Sequence, residues 1–336
     1  MSMPTIDLPD PLDIARSGAV YLASLVSPSG RFRYRFDHKT WADFGGYNVV
    51  RHCGTIWSMC DVANRINVPY VVPNAIERSV DYLRHVFLRR PATGGRLDAV
   101  EDQEIKLGAN ALAVLALLGA AKVLSKPELV NIAVEVGEAI LKDQKADGDF
   151  IHKINHITLG PTRFYSEYYT GEAMLALMEL HAVTGQARWL NAVIRAEDAL
   201  APKDYGVKEQ SHWMLYALEA LSRFRDEPAD HAHATKIVQN TLSNPAYLTW
   251  NRSTPTACRS EGLLAFLRMS QGRPESAKLG KPIRARVRQN LAAQLLHRQP
   301  DGAFLRGGVA TDARSGEVRI DYVQHNISAF LRFGVD

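Results

Sequence analysis

Six short stretches, far apart along the chain, gather side chains that can move protons, hold an anion or present an aromatic face. They are Tyr47, Asn48, Arg51 and His52; Lys106 and Asn110; Tyr165, Glu167, Tyr168, Tyr169 and Glu172; Gln210, His212 and Trp213; Arg259 and Glu261; and Asp321, Tyr322, Gln324, His325 and Asn326. His52, His212 and His325 have the chemistry for general acid–base work near neutral pH. Arg51, Lys106 and Arg259 can clamp a carboxylate. A tyrosine serves as a base only where a neighbouring cation lowers its pKa. Single Ser, Thr, Asp or Asn residues at helix starts are ordinary caps, but capping does not account for the Arg, His, Tyr and Trp beside them.

Each cluster opens an apolar segment rich in Ala and Leu: residues 47–63, 106–124, 168–185, 210–224, 257–270 and 321–333. Few charges on any face suit helices packed on all sides. Ahead of each lies an amphipathic segment of helical period: Leu12–Val26, Ala75–Phe87, Pro127–Gln144, Ala187–Leu200, Asp230–Leu242 and Ile283–Arg298. Asp10-Pro11, Pro73-Asn74, Ser125-Lys126-Pro127 and Pro228 mark helix entries. Turns such as Ser29-Gly30-Arg31-Phe32, Gly94-Gly95-Arg96-Leu97, Asp147-Gly148-Asp149-Phe150 and Asp301-Gly302-Ala303-Phe304 read as tight loops or small hairpins. Outer helix, turn and inner helix, six times over, predict an all-α fold, an (α/α)6 toroid of six helical hairpins, with residues 1–336 as one domain. An open solenoid would need polar capping repeats, and the sequence carries none. In such a ring the inner helices run the same way, so the six clusters meet at one mouth. Their N-termini aim partial positive charge and free N–H groups there, which favours an anionic ligand.

Bulk composition narrows the classes. Hydrophobic residues make up 46% and charged residues 23%, ordinary for a chain with a large core. A net charge of +4 is too mild to argue for nucleic acid. The basic stretch Lys281–Arg288 reads as a solvated outer helix face. Three cysteines, Cys53, Cys60 and Cys258, form neither a C-x-x-C pair nor a disulfide framework. With no secretory pattern at the start, a reducing, cytoplasmic setting is expected. The longest apolar run, Leu107–Leu124, contains Gly108, Asn110 and Gly119 and reads as a buried helix, not a membrane span. No cofactor and no metal are expected. His152 and His156 have i,i+4 spacing, but no third ligand lies close by in sequence. The lack of an Asp-x-Asp-Asp cluster weighs against isoprenoid chemistry.

The repeat pattern resembles the six-hairpin glycosidase-like superfamily over nearly the whole chain. That group includes glycoside hydrolases, N-acylglucosamine 2-epimerases, polysaccharide lyases and uronyl C5-epimerases. Two segments are similar to the helical domain of glucuronyl C5-epimerases. Phe164-Tyr165-Ser166-Glu167-Tyr168 is similar to that family's Trp-Tyr-Glu-Glu-Tyr-Pro region. Asp321-Tyr322-Val323-Gln324-His325-Asn326-Ile327 is similar to its Asp-Tyr-His-Thr-Thr-His-Ile-Asn. The resemblance implies catalytic roles for Tyr168, Glu167 and Tyr322. Tyr169 stands where the family has proline, and the family's β-rich domains have no counterpart in this sequence.

The expected function is a carbohydrate enzyme whose partner is an anionic sugar or oligosaccharide, first of all a uronate C5-epimerase. That chemistry needs a base on one face of the sugar, an acid on the other and a cation beside the carboxylate. Tyr168, Tyr322, Glu167, Glu172, His325 and His52 are the catalytic candidates. Tyr47, Asn48, Arg51, Lys106, Asn110, Tyr165, Tyr169, His212, Trp213, Arg259, Glu261 and Asp321 are the candidates for substrate binding. A polysaccharide lyase shares the first step. A glycoside hydrolase needs two carboxylates flanking the bond, for which Glu172, Glu261, Asp321 and Asp204 are available. A non-catalytic glycan-binding toroid needs the aromatic wall alone.

Overall fold

The computed structural model describes residues 8–92, 94–309 and 311–335. Among them twelve α-helices alternate between an outer and an inner ring. The outer helices are α1 (Pro11–Ser24), α3 (Val71–Tyr82), α5 (Glu128–Lys142), α7 (Ala187–Leu200), α9 (Pro228–Ser243) and α11 (Pro274–Leu295). The inner helices are α2 (Val49–Arg65), α4 (Leu107–Val123), α6 (Tyr169–Thr184), α8 (His212–Leu221), α10 (Ser253–Met269) and α12 (Ile320–Val335). Each inner helix packs on the next, and α12 closes on α2. The fold is an (α/α)6 toroid.

Composition sorts the helices between the rings. On α5 the buried residues are Leu129, Ala133, Val136, Gly137, Ala139 and Ile140, one stripe at helical spacing. On α7 the stripe is Trp189, Ala192, Val193, Ala196, Glu197 and Leu200. By contrast α4 is buried without a break from Leu107 to Leu117, because it has neighbours on every side. No helix among the described residues is long and apolar enough to cross a membrane. Lys281–Arg288 lies on α11, with only Ile283 and Val287 turned inward and buried.

Caps fix where several helices begin. Asp10 accepts a hydrogen bond from the Leu12 N–H, with Pro11 as the first helical residue. Asn48 caps α2 through the Arg51 N–H, and Ser211 caps α8 through the Met214 N–H. A recurrent turn follows three of the outer helices. Isolated bridges join Val26 to Phe32, Gln144 to Phe150 and Arg298 to Phe304. Each turn holds a glycine in the left-handed region, at φ 88°, 89° and 96° for Gly30, Gly148 and Gly302. Each phenylalanine is buried under its turn.

Short antiparallel strands precede the inner helices. Strands β2 (Leu88–Arg89), β3 (Asp98–Glu101), β4 (Glu104–Lys106) and β5 (Lys153–Asn155) form one sheet in that order. Strand β1 (Arg35–Asp37) pairs with β6 (Glu317–Arg319), Arg35 opposite Arg319, so the early chain is stitched to the late chain. Several helix bounds depart from the sequence expectation; α3 spans Val71–Tyr82 rather than 75–87, so the Pro73 entry signal lies inside it. Helix α10 starts at Ser253 rather than 257, and α11 starts at Pro274 and runs through Pro282. Proline as the first helical residue is a start signal, and Arg273-Pro274 is therefore the true entry, whereas Pro282 is absorbed inside the helix.

Candidate active site

A cavity of about 650 Å³ opens at the end of the ring where the inner helices begin. Helices α2, α6, α8, α10 and α12 supply polar wall residues, while α4 contributes Leu112 alone. The polar residues at the start of α4 are engaged by β3 instead, Lys106 by Glu101 and Asn110 by Asp98. A Cβ on Gly108 would lie 2.3 Å from the Glu172 Oε2, so α4 and α6 approach closely here.

The α2 and α12 wall is an ion-pair network. The Arg51 Nε donates to the Asp321 Oδ2 at 3.0 Å, and its Nη1 donates to the Tyr34 hydroxyl at 3.1 Å. Arg319 donates to both Asp321 oxygens, at 2.6 and 2.9 Å. Burial alone would raise the Asp321 pKa, but Arg319 and Arg51 outweigh it and hold the group below the usual carboxylate range. Asp321 is thus an anion whose oxygens are already engaged.

Glu172 on α6 is the opposite case. Its side chain is buried, and Oε2 has no hydrogen-bond partner. Burial pushes its pKa up to about 8, against the opposing fields of His325 and Arg51. Near neutral pH it is a protonated acid.

The floor comes from α8, α10 and α12. The His325 Nδ1 lies 2.9 Å from the Glu261 Oε2, and the other Glu261 oxygen accepts the Tyr216 hydroxyl at 2.9 Å. The His212 ring stands 5.4 Å from the His325 ring at 83°, and its buried Nε2 has no hydrogen-bond partner. Burial, reinforced by His325, Arg259 and Arg332, drives the His212 pKa down. For His325 burial acts the same way, but Cys258 and Glu261 overcome it and raise the pKa. The floor therefore pairs a neutral imidazole with a charged one. Four donor groups there, His212, Cys258, Glu261 and His325, each offer a ligand atom, all within 4.8 Å of one another.

At the rim the Arg259 Nε donates to the Gln210 Oε1 at 3.0 Å, with further bonds to the Pro255 and Glu209 carbonyls. Among the described residues no carboxylate neutralises this guanidinium. Trp213, Tyr168, Tyr169 and Trp250 supply aromatic faces.

Of the residues singled out in the sequence, Asn48, Arg51, Glu167, Tyr168, Tyr169, Glu172, Gln210, His212, Trp213, Arg259, Asp321, Gln324 and His325 line this cavity. Glu261 lies just behind them, bonded to His325. The others stand apart. His52 is buried against the Ser79 carbonyl and the Tyr47 hydroxyl, outside the cavity, its pKa lowered by burial to about 4. The Tyr47 hydroxyl also accepts from the Phe32 N–H. Lys106 is paired with Glu101 and Glu104. Asn110 donates to Asp98 and accepts from the Ala99 N–H. The Tyr322 hydroxyl donates to Glu317 at 2.8 Å, and burial raises its pKa, which removes it as a base. Tyr165 stacks on His152 in a neighbouring cleft. His152 is itself tied to Thr170 and to the Ser166 N–H, so the His152–His156 spacing marks no ligand pair. Asp204 pairs with Lys236 on the surface. Cys258 and Trp250 line the cavity but were not singled out in the sequence. Trp250 ends a one-turn 3-10 helix, Ala246–Trp250, just before α10.

No family model matches the sequence, and no curated protein matches it. Solved structures do match the (α/α)6 toroid fold along almost its full length. A D-mannose isomerase superposes with a TM-score of 0.74 at 13% identity, covering 98% of this chain and 99% of that one. The cellobiose 2-epimerase of Spirochaeta thermophila gives 0.73 at 14% identity, covering 96% of each chain. A family 76 glycoside hydrolase, an α-mannanase of Bacteroides thetaiotaomicron, gives 0.71 at 9% identity, covering 97% and 96%.

Proposed function

We propose that this chain is a carbohydrate enzyme that moves a proton at a carbon of an anionic sugar, an isomerase of the uronate-epimerase kind. The observation that carries the reading is the floor of the cavity. There His212, with an unpartnered Nε2, stands beside His325, which Glu261 anchors through Nδ1. An imidazole free at one nitrogen can accept a proton from carbon. Glu172, protonated and brought in by a different helix, can return one from another direction. His325 and Arg259 supply the positive charge that an enolate-like state requires. The isomerase and epimerase among the structural neighbours support proton transfer as the reaction class.

This reading shifts the base from tyrosine to histidine, because Tyr322 is committed to Glu317 outside the cavity. It also ranks hydrolysis second. A hydrolase needs two carboxylates flanking the bond; Asp321 is engaged by two arginines and Glu261 by Tyr216 and His325, which leaves Glu167 and Glu209 as the cavity carboxylates that could partner Glu172.

The test is incubation with a panel of uronates, uronate oligosaccharides and neutral sugars in heavy water, followed by NMR. Deuterium uptake at a ring carbon without new reducing ends is the expected result. His212→Asn and His325→Asn should each slow that uptake by about 10²–10⁴-fold. New reducing ends without uptake would replace this reading with a hydrolase, and an unsaturated product absorbing in the ultraviolet would replace it with a lyase.

A further inference from the structure

We propose that His212, Cys258, Glu261 and His325 form a binding site for a borderline-soft divalent cation, zinc above all, in the floor of the cavity. The four residues come from three consecutive inner helices, α8, α10 and α12, packed directly on one another. Cys258 and Glu261 sit three positions apart on α10 and so share a face. One donor atom from each residue falls within 4.8 Å of all the others. Tetrahedral zinc with bonds of about 2.0–2.3 Å places its donors roughly 3.3–3.8 Å apart, a closure that side-chain rotation supplies.

Independent features point to a ligand here. The His212 Nε2 is buried, the residue being 4% exposed, and nothing in the protein hydrogen-bonds it. A buried imidazole nitrogen left unpaired is costly, and a metal ion satisfies it. Glu261 has its Oε1 fixed by the Tyr216 hydroxyl, leaving Oε2 turned toward the cluster. A second oxygen held in this way is how ligating carboxylates are oriented. The charges also balance, since a thiolate and a carboxylate neutralise a dication while the imidazoles bind neutral. Two nitrogens and a sulfur suit zinc, whereas magnesium and calcium prefer oxygen donors. Binding releases the Cys258 thiol proton and any proton on the coordinating imidazole nitrogens, and no electron changes hands.

The site goes beyond the proton-transfer reading and constrains it. His212 cannot hold a cation and accept a proton at the same nitrogen, and a metal-bound His325 no longer carries its own positive charge, so occupancy by zinc switches the enzyme off.

The test is titration of the full-length, chelator-stripped protein with Co²⁺, followed by displacement with Zn²⁺. The expected result is one equivalent of cobalt with intense visible bands of a four-coordinate site and a near-ultraviolet thiolate-to-cobalt charge-transfer band. Cys258→Ser should abolish the charge-transfer band while its circular dichroism stays that of the parent. Tyr216→Phe should keep the band but weaken binding about 10-fold or more. Cobalt spectra typical of six oxygen ligands, or a charge-transfer band that survives Cys258→Ser, would overturn the site. Deuterium exchange on the same samples should disappear as zinc reaches one equivalent and return with chelator. A metal-free protein without exchange counts against the proton-transfer reading alone, and a missing cobalt band counts against the metal site alone.

Discussion

Glu172 carries its acid into the cavity with one oxygen unpartnered and a pKa near 8, against an ordinary value of 4.5. Between those values the unfolded chain has released this proton and the folded protein still holds it. Stability from this group therefore falls as pH rises from about 4.5 and levels off above about 8. Glu172→Gln removes that slope. The variant should match the parent near pH 4.5 and exceed it at pH 9 by on the order of a few kcal/mol, read from denaturant midpoints across the range. Turnover of the parent should decline as pH passes through about 8, because the proton donor is lost. His52 makes the contrasting prediction. Its ring is bonded on both nitrogens, away from the cavity. His52→Gln should cost about 1–3 kcal/mol of stability, with deuterium exchange per folded molecule unchanged; a selective loss of exchange would return His52 to the chemistry. At this scale much of the cavity lining was legible, since Glu172, His212, Arg259 and His325 announce themselves as ionisable groups at the starts of apolar helices. Cys258 was not, because a cysteine in such a helix looks like any small apolar residue. Glu261 stands three positions on, but His212 and His325 come from helices remote in sequence. Tyr322 misled for a different reason: Glu317, five residues upstream, takes its hydroxyl.

The inner helices approach closely because small residues stand where they touch. A Cβ on Gly171 would lie 2.8 Å from the Met214 N and from the Trp213 C on α8. Backbone cannot yield as a side-chain tip can, so Gly171→Ala must part α6 from α8. The expected cost is about 1–3 kcal/mol, visible as a lower Tm. Deuterium exchange should fall as well, because α6 carries Glu172 and α8 carries His212. An unchanged Tm would mean that the two helices are not held together at this point. Helix identity was read well from periodicity and apolarity, and Ala187–Leu200 has the bounds the sequence predicts. The start of α11 was read nine residues late, at Ile283, because Pro282 lies inside the helix that Pro274 begins. The failure of α4 to place Lys106 and Asn110 at the cavity has a tertiary cause. Those side chains are claimed by Glu101 and Asp98 on the neighbouring strand β3, contacts that helical periodicity does not encode.

The whole ring depends on its two ends meeting. Helix α1 packs on α12, and a Cβ on Gly18 would lie 2.2 Å from the Ile327 side chain, so the contact is tight. Deleting residues 8–26 should expose the face of α12 that bears Val323 and Ile327. The expected result is loss of a single cooperative thermal transition by calorimetry. A stack of independently stable hairpins would instead keep most of its transition. Closure of this kind follows from the sequence pattern, whereas the pairing of Arg35 with Arg319 does not, since strands of three residues leave little trace in composition. That pairing has a further consequence. The wall made by Arg51, Arg319 and Asp321 unites residues from opposite ends of the chain. During synthesis the ribosome must deliver the chain through residue 321 before this wall, and the cavity it bounds, can exist.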